Sequence, residues 1–180
     1  MLNNPSPRGD FTPADHGMVA WSYDPAVIAS NALIPAGGTL NVVKLKLTGP
    51  TLITAVLMIC SNPGATLTAG QNFAMVFDET GAQIGVTADQ ATAWQSTGNK
   101  DMPLTAPVTA RGPFVTVGLY AVGSTLPGFR MSIASSAVGN VNLATASSRF
   151  GTANTGLTTT PPATLGTITA PGLPWWVGLR

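Results

Sequence analysis

Hydrophobic and polar positions alternate most cleanly from Asn72 onward. Phe73, Met75 and Phe77 fall on one face and Asn72, Ala74 and Val76 on the other, the period of two that marks a strand with a buried face. Asp78-Glu79-Thr80-Gly81 then supplies a turn, ended by a glycine able to take positive φ. The chain returns through residues 82–87, and the alternation expects Ala82, Ile84 and Val86 on the same core as the three large residues. A polar loop carrying Asp89, Gln90 and Trp94 leaves this hairpin.

Other segments extend the pattern. Residues 17–22 predict a first strand with Val19 and Trp21 on one face, broken by Asp24-Pro25. Residues 25–34 predict a helical turn or an irregular crossing. In residues 39–47, Leu40 and Val42 are in one phase and Val43, Leu45 and Leu47 in the other. That change of phase predicts a bulge at Val42-Val43, with Lys44 and Lys46 toward solvent. Residues 51–60 are apolar on both faces, with Ile53, Ala55, Leu57 and Ile59 on one and Leu52, Val56, Met58 and Cys60 on the other. Such a strand is either central between two layers or packs its outer face on a neighbouring subunit.

Residues 95–100 read as a polar loop. Residues 102–110, interrupted by Pro103 and Pro107, belong at a sheet edge. Residues 114–122 place Val115, Val117, Leu119 and Ala121 on one face, while Gly118 on the other lets a neighbour approach closely. Short strands are expected at 129–133 and 164–169. The chain ends in LPWWVGLR, with Trp175, Val177 and Leu179 facing one way and Trp176 and Arg180 the other. Many short strands separated by turn signals predict an all-β fold: an antiparallel, jelly-roll-like β-sandwich over residues 16–180 behind an extended N-terminal arm, residues 1–15. The two terminal strands, both bearing Trp, are expected to be neighbours.

Composition adds a second expectation. Charged residues make up 8% of the 180, where about 25% is usual, and the mean hydropathy is +0.28. A chain so short of charge is expected to hide part of its surface against other subunits. The net charge of +1, with no basic stripe, argues against nucleic-acid binding. Its apolar runs fall short of the ~18–20 residues of a membrane span, and MLNNPSPRGDF lacks the apolar stretch of a secretory signal.

Candidate chemistry is sparse. Cys60, the only cysteine, excludes an intrachain disulfide and reads as a small buried hydrophobe. His16, the only histidine, ends the arm, a poor place for a positioned base. With no second His or Cys, no metal and no cofactor is expected. Asp78-Glu79 are adjacent in a turn, unlike the separated, opposed carboxyls of a glycosidase. Gly37-Gly38 is not followed by a helix, so it is not a phosphate loop. Arg8-Gly9-Asp10 is the tripeptide that integrins recognise, a match short enough to arise by chance. An enzyme is not expected.

GQNFAMVFDETGAQIGVTADQATAW resembles a segment of the small β-sandwich domains in minor tail and tail-fibre proteins of phages infecting actinobacteria. GMVAWSYDPA, VGLYAVGSTLPGF, SRFGTANTGLTTTPPATLG and WWVGL are similar in kind and order, so the resemblance covers most of residues 17–180. It implies a non-enzymatic virion surface protein, of the minor tail, capsid decoration or head-fibre type. Such a protein would form a homotrimer, with the arm anchoring it to other virion proteins of the capsid or tail. Leu52, Val56 and Met58 are the candidate oligomer interface. The alternative is a receptor- or glycan-binding module of the tail tip, with Trp94 or Tyr120 as a stacking platform and Asp89 and Gln90 as polar contacts to host surface glycan.

Overall fold

A computed structural model describes residues 11–169 and 172–180. Its strands are β1 (Ala20–Trp21), β2 (Ile28–Leu33), β3 (Asn41–Lys46), β4 (Thr51–Asn62), β5 (Ala65–Leu67), β6 (Phe73–Phe77), β7 (Gln83–Val86), β8 (Gly98–Ala110), β9 (Phe114–Tyr120), β10 (Gly123–Thr125), β11 (Gly128–Ser132), β12 (Phe150–Thr152) and β13 (Gly178–Leu179), with one short helix, α1 (Ser136–Gly139). They form an antiparallel β-sandwich. One sheet runs β1-β13-β4-β11-β2, with β8 on the other edge of β4; the second runs β12-β3-β9-β6-β7. β5 and β10 make a separate small ribbon. First and last strands are neighbours as the sequence predicts, Ala20 facing Leu179 and Trp21 facing Gly178.

Between the sheets lies the main core. Val43 and Leu45 of β3, Ile53, Val56, Met58 and Cys60 of β4, Ala74 and Val76 of β6, Val115, Val117 and Leu119 of β9, and Trp175, Val177 and Leu179 at the C-terminus all point into it. One open side is bridged where Thr87, just after β7, pairs with Leu104 of β8. On the opposite side the Tyr23 hydroxyl donates to the Pro174 carbonyl (2.6 Å) and accepts from the Ser132 N–H (2.7 Å). There Arg149 donates to the Ser22 carbonyl at 2.6 Å and lies over the Phe150 ring.

The second sheet is buried on its outer face too. Leu40, Val42, Met75, Phe77 and Tyr120 form a smaller core with Ala153 and Ile168. Residues 153–168 cross this face as a strap. They bond Leu40 and Gly38 near one edge (Leu40 N–H to Asn154 O, 2.9 Å; Leu157 N–H to Gly38 O, 2.9 Å) and Gln83 and Gly81 at the other (Gln83 N–H to Ala163 O, 2.9 Å; Leu165 N–H to Gly81 O, 2.8 Å). Gly38 has φ +65°, and a Cβ there would lie 2.6 Å from the Leu157 carbonyl oxygen. Close approach at Gly118 is also as expected: its face receives Leu40 and Phe77.

Several expectations need correction. Phe73, Met75 and Phe77 lie under the strap, while the small members Ala74 and Val76 face the main core. Ala82, Ile84 and Val86 do not share one core. The register shifts at Val76/Phe77, so Val86 joins the strap side and Ile84 packs on the main core. β3 pairs with β9 without a shift, so there is no bulge at Val42-Val43; both of its faces are buried instead. The bulge falls in β4 at Thr54, whose N–H and hydroxyl both meet the Arg180 carbonyl. Residues 25–34 contain β2, residues 98–100 begin β8, and residues 164–169 form no strand, only single bridges from Thr164 to Ala82 and from Thr169 to Thr152.

Of the expected arm, residues 1–10, including Arg8-Gly9-Asp10, lie outside the described residues. Residues 11–15 are folded: Pro13–His16 is a 3-10 turn, and the Asp15 carboxylate accepts the Thr12 N–H and hydroxyl, each at 2.8 Å. The His16 ring lies edge-on to Phe11 and Trp21.

Candidate functional site

The four candidate glycan contacts are built into the fold. Leaving β7, the chain bends so that the Asp89 carboxylate accepts the Gly70 N–H (2.9 Å) and the Asn72 N–H (3.0 Å). Asn72 is fully buried; its amide donates to Thr68 O at 2.6 Å and accepts the Val122 N–H at 3.1 Å. Gln90 donates its backbone N–H to Asn72 O, and its side chain folds back onto Ala88 O. Three loops therefore meet at Asn72 and Asp89, a junction that the alternation of residues 72–77 did not reveal.

Trp94 lies at the end of this loop, in the 3-10 turn Ala93–Gln95. It is wholly buried, with its indole N–H on the Met102 sulfur at 3.2 Å and its ring against the edge of Phe129. Tyr120 is buried beneath the strap and donates to Thr158 O at 2.7 Å. Burial, helped by the negative charge of Asp89, pushes its phenol up to about 12. Neither ring offers a face on which a sugar could stack.

The three interface candidates separate in the same way. The bulge at Thr54 sets Val56 and Met58 on the core face with Ile53, leaving no surface of either for a second chain. Leu52, before the bulge, is 56% exposed. Beyond the bulge, Leu57 and Ile59 lie on the outer face, half-buried, in a cleft of about 240 Å³ that they share with Met18, His16 and Trp176. The chain itself thus covers part of the second apolar face of this strand.

Among the described residues, two further surfaces stand out. On the strap side, a cleft of about 290 Å³ is lined by Lys44, Asp78, Glu79, Phe114, Thr116 and the strap residues around Leu165. Phe114 is 42% exposed there. Asp78 is occupied by its own turn: one oxygen takes the Thr80 hydroxyl at 2.7 Å and the Thr80 and Ala82 N–H groups. These bonds hold the carboxyl below its usual range. Lys44 reaches Ser147 O at 3.5 Å. A cleft with one exposed ring and a mixed-charge rim can hold a polar ligand with an apolar face. Among the described residues no group of three or more His, Cys, Asp or Glu side chains is placed to hold a metal ion.

The other open surface is apolar. Residues 131–148, which carry the chain from β11 across to β12, contain no charged residue, and eleven of the fifteen residues 133–147 are exposed. Ile133, Val141 and Val138 are 79%, 69% and 63% exposed. Val27 lies beside this segment, because its neighbour Ile28 pairs with Ser132.

No family model matches the chain, and no curated protein matches it.

Proposed function

We propose that this protein is a non-enzymatic structural subunit of a bacteriophage virion, exposed on the particle and assembled in the host cytoplasm. The β-sandwich associates with copies of itself, and the N-terminal arm attaches it to capsid or tail proteins. The observation that carries this reading is the charge-free apolar surface of residues 131–148. A free-standing subunit has no use for four large exposed aliphatic side chains in one loop, whereas a subunit of an assembly does. The resemblance of its sequence segments, in order, to actinobacteriophage tail domains is what supports reading that assembly as a phage particle. Mass spectrometry and immunogold labelling of purified particles test it. The protein is expected on the virion surface, and deleting residues 1–10 is expected to leave a folded protein that no longer incorporates. Absence from purified particles overturns the reading.

The second reading, a module binding host glycan, is favoured by the cleft at Lys44, Glu79 and Phe114 rather than by Trp94 or Tyr120. A glycan array with wild type and Phe114→Ala decides it. Binding lost in the variant supports a sugar in this cleft, and an array without a hit removes it.

A further inference from the structure

The open edge of β2 and the apolar loop after β11 adjoin, and together they have the properties of one interface. Among the described residues β2 is the last strand of its sheet and pairs only with β11. The Ile34 N–H donates to Pro127 O at 2.9 Å, in step with the pairs Ala32–Phe129 and Ser30–Met131. Hydrogen-bonded pairs alternate along an antiparallel ladder, so Asn31 and Leu33 turn their N–H and C=O groups the other way, toward the open edge. Edge strands are usually protected by charge or proline; residues 28–33 (IASNAL) have neither. A bulge at Ala29 is the one irregularity, and it leaves Asn31 and Leu33 in regular register.

The size of the surface fits a stable contact. Eight of the twelve residues 26–37 are exposed, and none of the twelve is charged. They join the exposed residues of the loop at Val27 and Ile133, and Ser135 and Ser136 share a cleft with Pro35; Ala146 and Ser147, at the far end of the loop, lie instead beside Lys44. The combined surface approaches the roughly 20–30 residues a side of a standard interface.

We infer that this surface pairs with the same surface of a second copy, β2 against β2 antiparallel about a twofold axis near Ala32. In that register Asn31 of each copy faces Leu33 of the other, and each pair can exchange both of its backbone bonds. The antiparallel arrangement brings the start of one β2, with Val27 and Ile133, against the other's uncharged exit at Pro35, Ala36 and Gly37. Near the axis an isologous contact brings like residues together, and residues 26–37 carry no charge to repel their copy; the exposed Arg130, opposite Asn31 on β11, lies one strand in from the edge. The inference rests on the proposed function only for the premise of self-association.

Sedimentation velocity across the micromolar range tests it, on wild type, Asn31→Pro, Ile133→Asp, Val141→Asp and Leu52→Asp. Asn31→Pro removes an outward N–H without touching the bonds to β11. The wild type is expected to be a dimer. The first three variants are expected to weaken it by roughly 30-fold or more, the loss expected when a central contact goes, while keeping a native circular-dichroism spectrum; their melting temperatures fall only by the stabilisation the dimer supplied. Leu52→Asp, on the outer face of β4, is expected to stay dimeric. If Asn31→Pro does not fold, the two Asp variants decide alone. A monomeric or trimeric wild type overturns the inference, as do loop variants that dimerise normally or dissociation confined to Leu52→Asp. A dimer that is absent from virions would overturn the proposed function and leave this inference standing.

Discussion

Trp94 and Asp89 show why side-chain roles were hard to read from the sequence. In sequence both sit in a polar loop after a hairpin, where an aromatic ring and a carboxylate look available to a ligand. Burial of the ring is decided by Met102 and Phe129, which arrive from other strands, and no local pattern carries that information. Trp94→Ala is expected to destabilise the fold by roughly 3–5 kcal/mol, as for other large-to-small core changes. Asp89→Ala leaves the Gly70 and Asn72 N–H groups without their charged acceptor. It is expected to cost about 1.5–3 kcal/mol, the range for bonds to charged groups. Urea denaturation of the two variants checks both figures. Near-native midpoints for either would return that side chain to the list of ligand contacts. Cys60, by contrast, was legible: it is buried, its thiol is pushed up by burial, and it donates to Asn62 O.

At the scale of the element, period was legible and direction was not. A period of two in residues 72–77 identifies a strand, yet it cannot say which face meets the main core when both faces are covered. Here the strap claims the large residues. The same ambiguity turned two buried faces of β3 into an expected bulge, while the true bulge at Thr54 depends on the Arg180 carbonyl from the far end of the chain. β2 gives little signal in the sequence, because small alternating residues on an edge strand offer little hydrophobic contrast. Gly118 tests the strap side. A Cβ there would lie 2.8 Å from Leu40 and 3.0 Å from Phe77, both packed under residues 153–168. Gly118→Ala is expected to cost about 1–3 kcal/mol through overpacking, and Phe77→Ala roughly 3–5 kcal/mol through the cavity it leaves. A thermal melt in which Gly118→Ala matches the wild type would mean that the strap side is loosely packed.

The whole molecule is a sandwich closed at its sides and strapped on one face, and its two tyrosines report on two of those closures. Tyr23 locks the side where β1 and β2 meet β12, held between Pro174 O and the Ser132 N–H. Burial raises its phenol to about 12, despite the opposing pull of the Ser132 N–H bond and the Arg149 charge. Tyr120 lies beneath the strap and is raised to the same level by burial and by Asp89. In an unfolded chain both would ionise near pH 10. A folded value above the unfolded one means that the fold favours the neutral phenol, so this contribution to stability is complete below pH 10. It falls as pH rises from about 10 and is gone above the folded value near 12. Alkaline titration followed by phenolate absorbance should therefore show no step near pH 10, and the protein should lose stability progressively over the same two units. Both tyrosines should ionise together if edge and strap open as one cooperative unit. Tyr120→Phe should halve the absorbance change while leaving the remaining step where it was. A step near pH 10 in the wild type that vanishes in Tyr120→Phe would mean that the strap stands open in solution. The outer face of the second sheet, with Leu40, Met75 and Phe77, would then be a further exposed apolar surface rather than a second core.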